Sequence, residues 1–493
     1  MTVRLAASAC LVVQVALFAQ PRTAVDSRLT SRIRDEAEAR SEVMNLAREL
    51  TDVYGPRLTG SPHLKAAGDL VIQRLKKWGI ESARFERWGP FGPGWTTDRF
   101  LALAVSPAAF PLQAYPKAWT PGTSGDVVAE AVLAAIDTDQ QFEEHRGKLR
   151  GRFVLTSRPG APAKTTPIEF ARRRMAFYVT EGVAALVEPG GPAGSVVVTD
   201  GRLTDDAAFG GNGFYPWPDT VAAQVVVATE QYNRIARMLD ASIPVTLEMN
   251  IANTYHTAEP DSFNIVAEIP GTSRRQEVII VGAHFDSWHG GTGAADNAAG
   301  CSVALEAIRI LKALKLETRR TIRLVLWTGS EQGLLGARAY VATHFADPTV
   351  MQPKPEHALM SAYVNLDGGR GPIRGLQVQG NEPAARALEP WLATVKEHGV
   401  AILSLATTRT SDHAAFDAVG LPALDIIQEA VEPHTARHSS ADTYDRLARE
   451  DLVGNAAKVA SLLHYLANRD EPMPRKPLPK PDPNGAGPWS PGR

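Results

Sequence analysis

From about Val245 the chain alternates between short runs of apolar, β-branched residues and longer stretches with apolar residues every three or four positions. VTLEMNIAN, SFNIVAEIP, EVIIVGAH (Glu277 to His284), TIRLVLWT, LMSAYVNLD and PALDIIQ read as strands bounded by glycine or polar turns. Helical spacing covers Ala298 to Leu316, Gly333 to Thr343, Ala384 to Glu397 and Asp451 to Ala467. Such alternation predicts an α/β fold with a mixed, largely parallel sheet flanked by helices.

The first half has a different rhythm. Helices are expected from Ser31 to Val53, broken at Gly55–Pro56, and from His63 to Trp78, stopped at Gly79. A strand follows around Ser82 to Trp88, and the Gly-, Pro- and Trp-rich stretch between about Gly89 and Pro121 reads as loops and a boundary. From about Gly122 to Thr246 short strands dominate (DVVAEAVLA, GRFVLTSR, VAALVEPG, SVVVTD, TVAAQVVVAT), with one or two helices between them. This segment has no clustered histidines, cysteines or paired carboxylates of metal-ligand type, so it reads as an inserted, mostly-β lid or recognition domain. The expected organisation is a leader over 1–20, a main domain in two parts (30–110 and 251–470), the insert at 115–250, and a tail over 471–493. That tail is proline-rich, hence extended or disordered.

Composition narrows the class. The 493 residues suggest several domains, and 44% hydrophobic against 22% charged residues suits a soluble chain with a sizeable core. A net charge of −2 without a long basic run offers nothing to nucleic acid or an anionic membrane. Arg4 followed by LAASACLVVQVALFA, then Gln20 and Pro21, has the pattern of a secretory signal and is short for a membrane span. Cleavage near Ala19 implies export, secreted or periplasmic, with no integral span afterwards; an uncleaved anchor stays open. Cys10 is a poor lipid anchor because the apolar run continues past it. Cys10 and Cys301 are the only cysteines, so the processed chain has no internal disulfide, and Cys301 reads as a packing residue.

Candidate chemistry gathers at strand ends. EVIIVGAH runs into FDSWHGGTGAADNAAG, a glycine-rich loop with His284, Asp286 and Asp296. Further strand ends or loops supply Glu331, Asp367 and His438. Open α/β sheets bind ligands at the carboxyl ends of their strands, and imidazole with carboxylate is a zinc-type donor set. His289 reads as a loop hydrogen-bonding residue and Ser411-Asp412-His413 as support near the site. His434 and Glu429 are near enough in sequence to reach the cleft, and Trp88, Trp95 and Trp119 read as loop packing.

HFDSWHGGTGAADNAAG, WTGSEQGLLGARAY, VNLDGG, TSDHAAFDAVGLPAL and HSSADTYDRL, in this order, resemble the di-zinc exopeptidases of metallopeptidase family twenty-eight, in particular its carboxypeptidase Q branch. The resemblance covers about 35–110 and 250–480; the segment between is similar to a protease-associated insert. It implies hydrolysis of short peptides with two zinc ions. Asp296 would bridge them, His284 and Asp367 would complete one, and Glu331 and His438 the other. Asp286 would hold the His284 imidazole in its tautomer. A homodimer stays open.

Two positions depart from the family. Its segment reads Glu-Glu-Gln-Gly, with the general base first and a zinc ligand second; here it reads Ser330-Glu331-Gln332-Gly333. A serine hydroxyl alone does not accept a proton from water near neutral pH, and loss of a positioned acid–base costs on the order of 10²–10⁴ in rate. Arg437 stands where relatives tend to have tyrosine or histidine; it could steady an oxyanion, bind a substrate carboxylate, or lie on the surface. Two alternatives therefore stand beside an impaired exopeptidase: a catalytically silent peptide-binding homologue, and a single-zinc enzyme like the glutaminyl cyclases.

Overall fold

The computed structural model describes residues 27–160, 166–192, 194–201, 220–431 and 437–481. The leader at 1–20 with Cys10, His434, and the end of the tail at 482–493 lie outside them. No helix among the described residues is long and apolar enough to cross a membrane.

Two mixed eight-stranded sheets flanked by helices organise the chain. Strand β1 (Arg84–Trp88) begins the first sheet. The chain then leaves for the second, with β2 (Gly94–Ser106), β3 (Phe110–Pro111), β4 (Ala114–Pro116), β5 (Asp126–Leu133), β6 (Phe153–Leu155), β7 (Ala185–Pro189), β8 (Gln224–Val227) and β9 (Thr246–His256). It returns through β10 (Ser262–Ile269), β11 (Arg274–His284), β12 (Arg320–Trp327), β13 (Met360–Asn365), β14 (Ile373–Gln377), β15 (Ile402–Ser404) and β16 (Ala423–Gln428). The first sheet runs β1-β10-β12-β11-β13-β16-β14-β15, and the second β3-β2-β9-β5-β6-β7-β8-β4. Neighbours β12, β11, β13 and β16 are parallel, so their carboxyl ends leave the sheet on one edge.

The central strands of the first sheet are buried on both faces, which is why their sequences are continuous apolar runs. Twelve α-helices are described: α1 (Ser27–Arg40), α2 (Val43–Arg48), α3 (Pro62–Lys77), α4 (Asp139–His145), α5 (Ile168–Glu181), α6 (Thr229–Asp240), α7 (Ala299–Ala313), α8 (Leu335–His344), α9 (Pro355–Leu359), α10 (Glu382–Val395), α11 (His413–Asp417) and α12 (Arg449–Asn468). α7 and α12 pack with α1, α2 and α3 over one face of the first sheet, while α8 and α11 cover the other. α3 starts on a Ser61 cap that accepts from the Leu64 amide, with Pro62 at the first turn.

Several local expectations change. The stretch from 89 to 121 holds β2, β3 and β4 rather than loops alone; the alternation in RFLALAV pairs along β9, and its Gly, Pro and Trp flanks hid it. SVVVTD (195–200) makes only isolated bridges, to Ala118 and Ser439, because no strand runs alongside it. Three helices, α4 to α6, separate the later strands where one or two are expected; α4 has no buried residue, hence no apolar period to read. The beginning of the tail is extended but docked: Met473 is buried in the core, and Arg475 donates to the carbonyl of His357 at 2.7 Å.

Candidate metal centre

Each donor enters from the loop beyond a strand of the parallel set. His284 ends β11, Glu331 lies just past β12, Asp367 just past β13, and His438 on the long connection after β16. Asp296 sits in a kinked, one-turn segment before α7. The backbone reaches this arrangement through glycines. Gly293 has φ of +65°, and a Cβ on Gly291 would meet the carbonyls of Asp442 and Ser439, each at 2.6 Å. His438 itself is left-handed, with φ of +57°, a conformation that costs a β-carbon residue about 1 kcal/mol or more.

Asp296 is the hub. Its Oδ1 lies 3.1 Å from His284 Nε2 and its Oδ2 3.1 Å from His438 Nε2. Asp367 Oδ1 is 3.3 Å from the same nitrogen of His284, and Glu331 Oε2 is 3.0 Å from that of His438. Each imidazole therefore faces one oxygen of the shared carboxylate and one private carboxylate. Ligand bonds of about 2 Å in a tetrahedron set donor separations of about 3.3 Å, so these spacings are those of a zinc shell. Donor atoms of His284, Asp296 and Glu331 also lie within 4.8 Å of one another, and Glu331 Oε1 is buried without a partner. The residues fit a zinc centre.

The electrostatics follow from crowding. Burial opposes charge on His284 and His438, but the adjoining carboxylates outweigh it: Asp367 and Asp296 hold the first imidazolium well above its ordinary range, and Asp296 and Glu331 raise the second to about 10. Burial would raise Asp296, yet the two imidazoles hold it well below the usual carboxylate range. Glu331 is pushed up by burial and by Asp296.

Arg437 is no surface bystander. Its Nε donates to Asp296 Oδ2 and its Nη2 to Asp367 Oδ1, both at 2.9 Å, with the side chain 42% exposed. A fork of this kind neutralises part of the acidic cluster and leaves one face of the cation toward solvent.

Asp286 meets the His284 imidazole through its backbone and has a second contact set through its side chain. The carbonyl of Asp286, not its carboxylate, accepts from His284 Nδ1 at 3.0 Å; the nearest carboxylate oxygen is 3.8 Å away. The carbonyl contact leaves Nε2 facing the carboxylates. The Asp286 carboxylate instead accepts from the amides of Ser330 (3.2 Å) and Glu331 (3.1 Å) and from Thr59 Oγ1 (2.9 Å), fastening the neighbouring loop. Ser330 Oγ donates to Asp412 at 2.8 and 3.0 Å.

Other candidates fall into place around this core. His289 Nε2 donates to the Pro116 carbonyl at 2.7 Å, tying the glycine loop to β4 of the second sheet. Ser411 accepts from Asn365, and His413 sits beside Asp425 and Thr408. Glu429 pairs with Arg374 away from the centre. Cys301 is buried with its thiol donating to the His284 carbonyl at 3.0 Å, and burial raises that thiol to about 12. Trp88, Trp95 and Trp119 are buried in one aromatic cluster with Trp288, whose ring stands 6.3 Å from that of His438.

The sequence did not single out Arg57, Asp442 or Trp288. Arg57 is fully buried and donates to the carbonyls of Leu50, Phe285, Thr292 and Gly293, so one cation shapes the glycine loop. Asp442 accepts from the Ala295 and Asp296 amides at 2.7 and 3.1 Å. A charged residue directly after Gly55-Pro56, and the first acidic residue after His438, were the available signals. A cavity of about 10 Å³, bounded by Trp288, Asp296, Glu331 and His438, reaches the centre.

The strand ends and loops of the first sheet thus converge two imidazoles and three carboxylates, the donor set of a metal centre. Residues 264–463 match the Peptidase family M28 model. The chain is 26% identical to human carboxypeptidase Q over 428 residues, 86% of this chain and 85% of the relative. It is also 26% identical to leupeptin-inactivating enzyme 1 of Streptomyces exfoliatus, over 39% of this chain and 43% of that one. Among solved structures, an M28 peptidase precursor from Shewanella amazonensis superposes with a TM-score of 0.67 at 22% identity, covering 92% of this chain and 99% of the other. A zinc aminopeptidase from Bacillus subtilis reaches 0.59 at 20% identity, with coverage of 87% and 95%. These two share the fold.

Proposed function

We propose that this chain is an exported zinc-dependent exopeptidase that cleaves short peptides, with two ions divided by Asp296. The observation that carries this reading is the Asp296 carboxylate, one oxygen toward His284 and the other toward His438. His284 and Asp367 would hold one ion, Glu331 and His438 the other. Zinc in such a site lowers the pKa of water toward about 7 and polarises the scissile carbonyl. The protein's own groups supply the rest. The Asp286 carbonyl keeps His284 in the ligating tautomer, and Arg57 and Asp442 fix the loop that presents Asp296. Arg437, forked to two carboxylates and part exposed, would meet a developing oxyanion or a substrate carboxylate.

Ser330 favours a second reading, a silent homologue that binds peptides without cutting them, because the residue before Glu331 carries no acid–base group of its own. One experiment separates the two. The zinc-loaded chain is assayed against a panel of dipeptides, with metal content measured on the same sample. Hydrolysis that a chelator abolishes and zinc restores supports the peptidase. Peptide binding without turnover at full zinc content supports the silent homologue, and a count near one zinc per chain favours the single-metal alternative.

A further inference from the structure

Beside the centre lies a carboxylate with an unusual set of neighbours. Asp412, in the turn before α11, has no exposed surface, and both of its oxygens accept from Ser330 Oγ, at 2.8 and 3.0 Å. Among the described residues no lysine or arginine pairs with it, whereas the other buried acids nearby are committed elsewhere. Asp286 accepts from two backbone amides and Thr59; Asp442 accepts from two backbone amides; Asp425 accepts from Asn365 and lies beside His413. A buried carboxylate bound only to a hydroxyl is poised to share that hydroxyl's proton. Burial pushes its acidity down to a pKa of about 7, with Asp286 and Asp367 adding to this and His284 opposing it.

We propose that Asp412, acting through Ser330, moves the proton that a side chain at position 330 would otherwise have to accept by itself. This rests on the peptidase reading above. As the oxygen of the attacking water bonds to the scissile carbonyl carbon, the carbonyl π pair moves to its oxygen. The water proton passes to Ser330 Oγ while the serine proton passes to Asp412. When the tetrahedral adduct collapses, the C–N bond breaks and its electron pair leaves with nitrogen. Asp412 then returns its proton to Ser330, and Ser330 gives one to the amine. The sum is peptide plus water to acid plus amine, with the pair restored. Asp412 is a positioning residue in this scheme, since it reaches the reacting atoms only through the serine.

The test compares the zinc-loaded parent with S330A, D412N, S330A/D412N, S330E and S330E/D412N on one dipeptide, with zinc content determined for each. S330A and D412N should each lower kcat on the order of 10²–10⁴-fold, with KM and zinc content unchanged, and the double variant should be no slower than either single one. With glutamate at 330 the dependence should vanish, so S330E/D412N keeps the rate of S330E. A readout independent of turnover is the infrared carboxylate band of the metal-free chain that D412N removes; S330A should shift it. Unchanged kcat in S330A, which spares Asp412 and guards against a D412N chain that fails to fold, overturns the relay. So does a carboxylate band that ignores S330A. If S330E hydrolyses while the parent and its other variants do not, the relay fails and the peptidase scaffold stands. If no variant hydrolyses any peptide at full zinc content, the peptidase reading fails and the relay with it.

Discussion

Each sheet contains four adjacent parallel strands, β12-β11-β13-β16 in the first and β5-β6-β7-β8 in the second. In the first set the carboxyl ends run into loops bearing Glu331, His284, Asp367 and His438. In the second they run into Ala134, Thr156, Gly190 and Ala228. The same architecture thus makes two rows of strand ends, and among the described residues a cluster of metal-type donors forms only at the first. Parallel strand ends create a location for chemistry; the residues that follow them decide whether any occurs. What the second sheet and the segment beside it give the centre is mechanical: Val198, between β7 and β8, donates to the His438 carbonyl at 3.1 Å, and His289 of the glycine loop is held by the Pro116 carbonyl of β4.

The largest test of this contrast is Asp296→Asn. Removing the shared charge should empty the centre of zinc and lower hydrolysis on the order of 10³-fold or more, several kcal/mol of transition-state stabilisation. Elemental analysis and a peptidase assay check it, and retention of full zinc would break the comparison. Leu247→Ala, in the buried core of the second sheet, should instead destabilise the fold by about 2–5 kcal/mol while leaving zinc per folded chain unchanged. Denaturant melts and metal content measure the two effects separately. Val198→Pro removes the amide that holds His438 and should cost about 1 kcal/mol. It should also weaken zinc binding by about tenfold, read by competition with a chelator.

The smallest effect lies far from the metal, where His344 Nε2 is 2.7 Å from Glu86. The hydrogen bond to Glu86, aided by charge and opposed by burial, raises His344; burial would raise Glu86, but His344 prevails and lowers it. The histidine's contribution is present below its unfolded pKa of about 6.5 and fades as pH rises through its higher folded value. The glutamate's is present above about 4.3 and fades as pH falls through its lower folded value. His344→Gln should therefore cost most near pH 5.5, by less than about 1 kcal/mol, and little near pH 9. Urea melts at the two pH values read the difference; Arg84, Arg323 and Glu356 share this neighbourhood.

Much of the first sheet was legible because its strands are buried on both faces, which writes apolar runs such as EVIIVGAH into the sequence with a donor at the end. β2 was obscured because one side of the strand is part exposed, and its Gly-Pro-Trp flank resembles a loop. Arg57 left no pattern, since its partners are backbone carbonyls, and any sequence supplies those. The Ser330–Asp412 contact joins residues 82 apart, and neither lies on a periodic face that would reveal it. Asp286 shows the remaining limit: its place two residues from His284 suggests a contact with the imidazole, but not that the backbone carbonyl makes it.

The bridge between Val197 and Ser439, with the Ser440 amide donating to the Val196 carbonyl at 2.9 Å, also bears on modularity. An insertion is usually thought of as a cassette, free to be exchanged while its host persists. Here the loop that carries His438 is held by backbone bonds to a strap at residues 196–198. A chimera with that strap replaced is expected to keep the first sheet and lose the backbone bonds that hold the His438 loop. Strap and histidine therefore act as one structural unit, although some 240 residues of chain separate them.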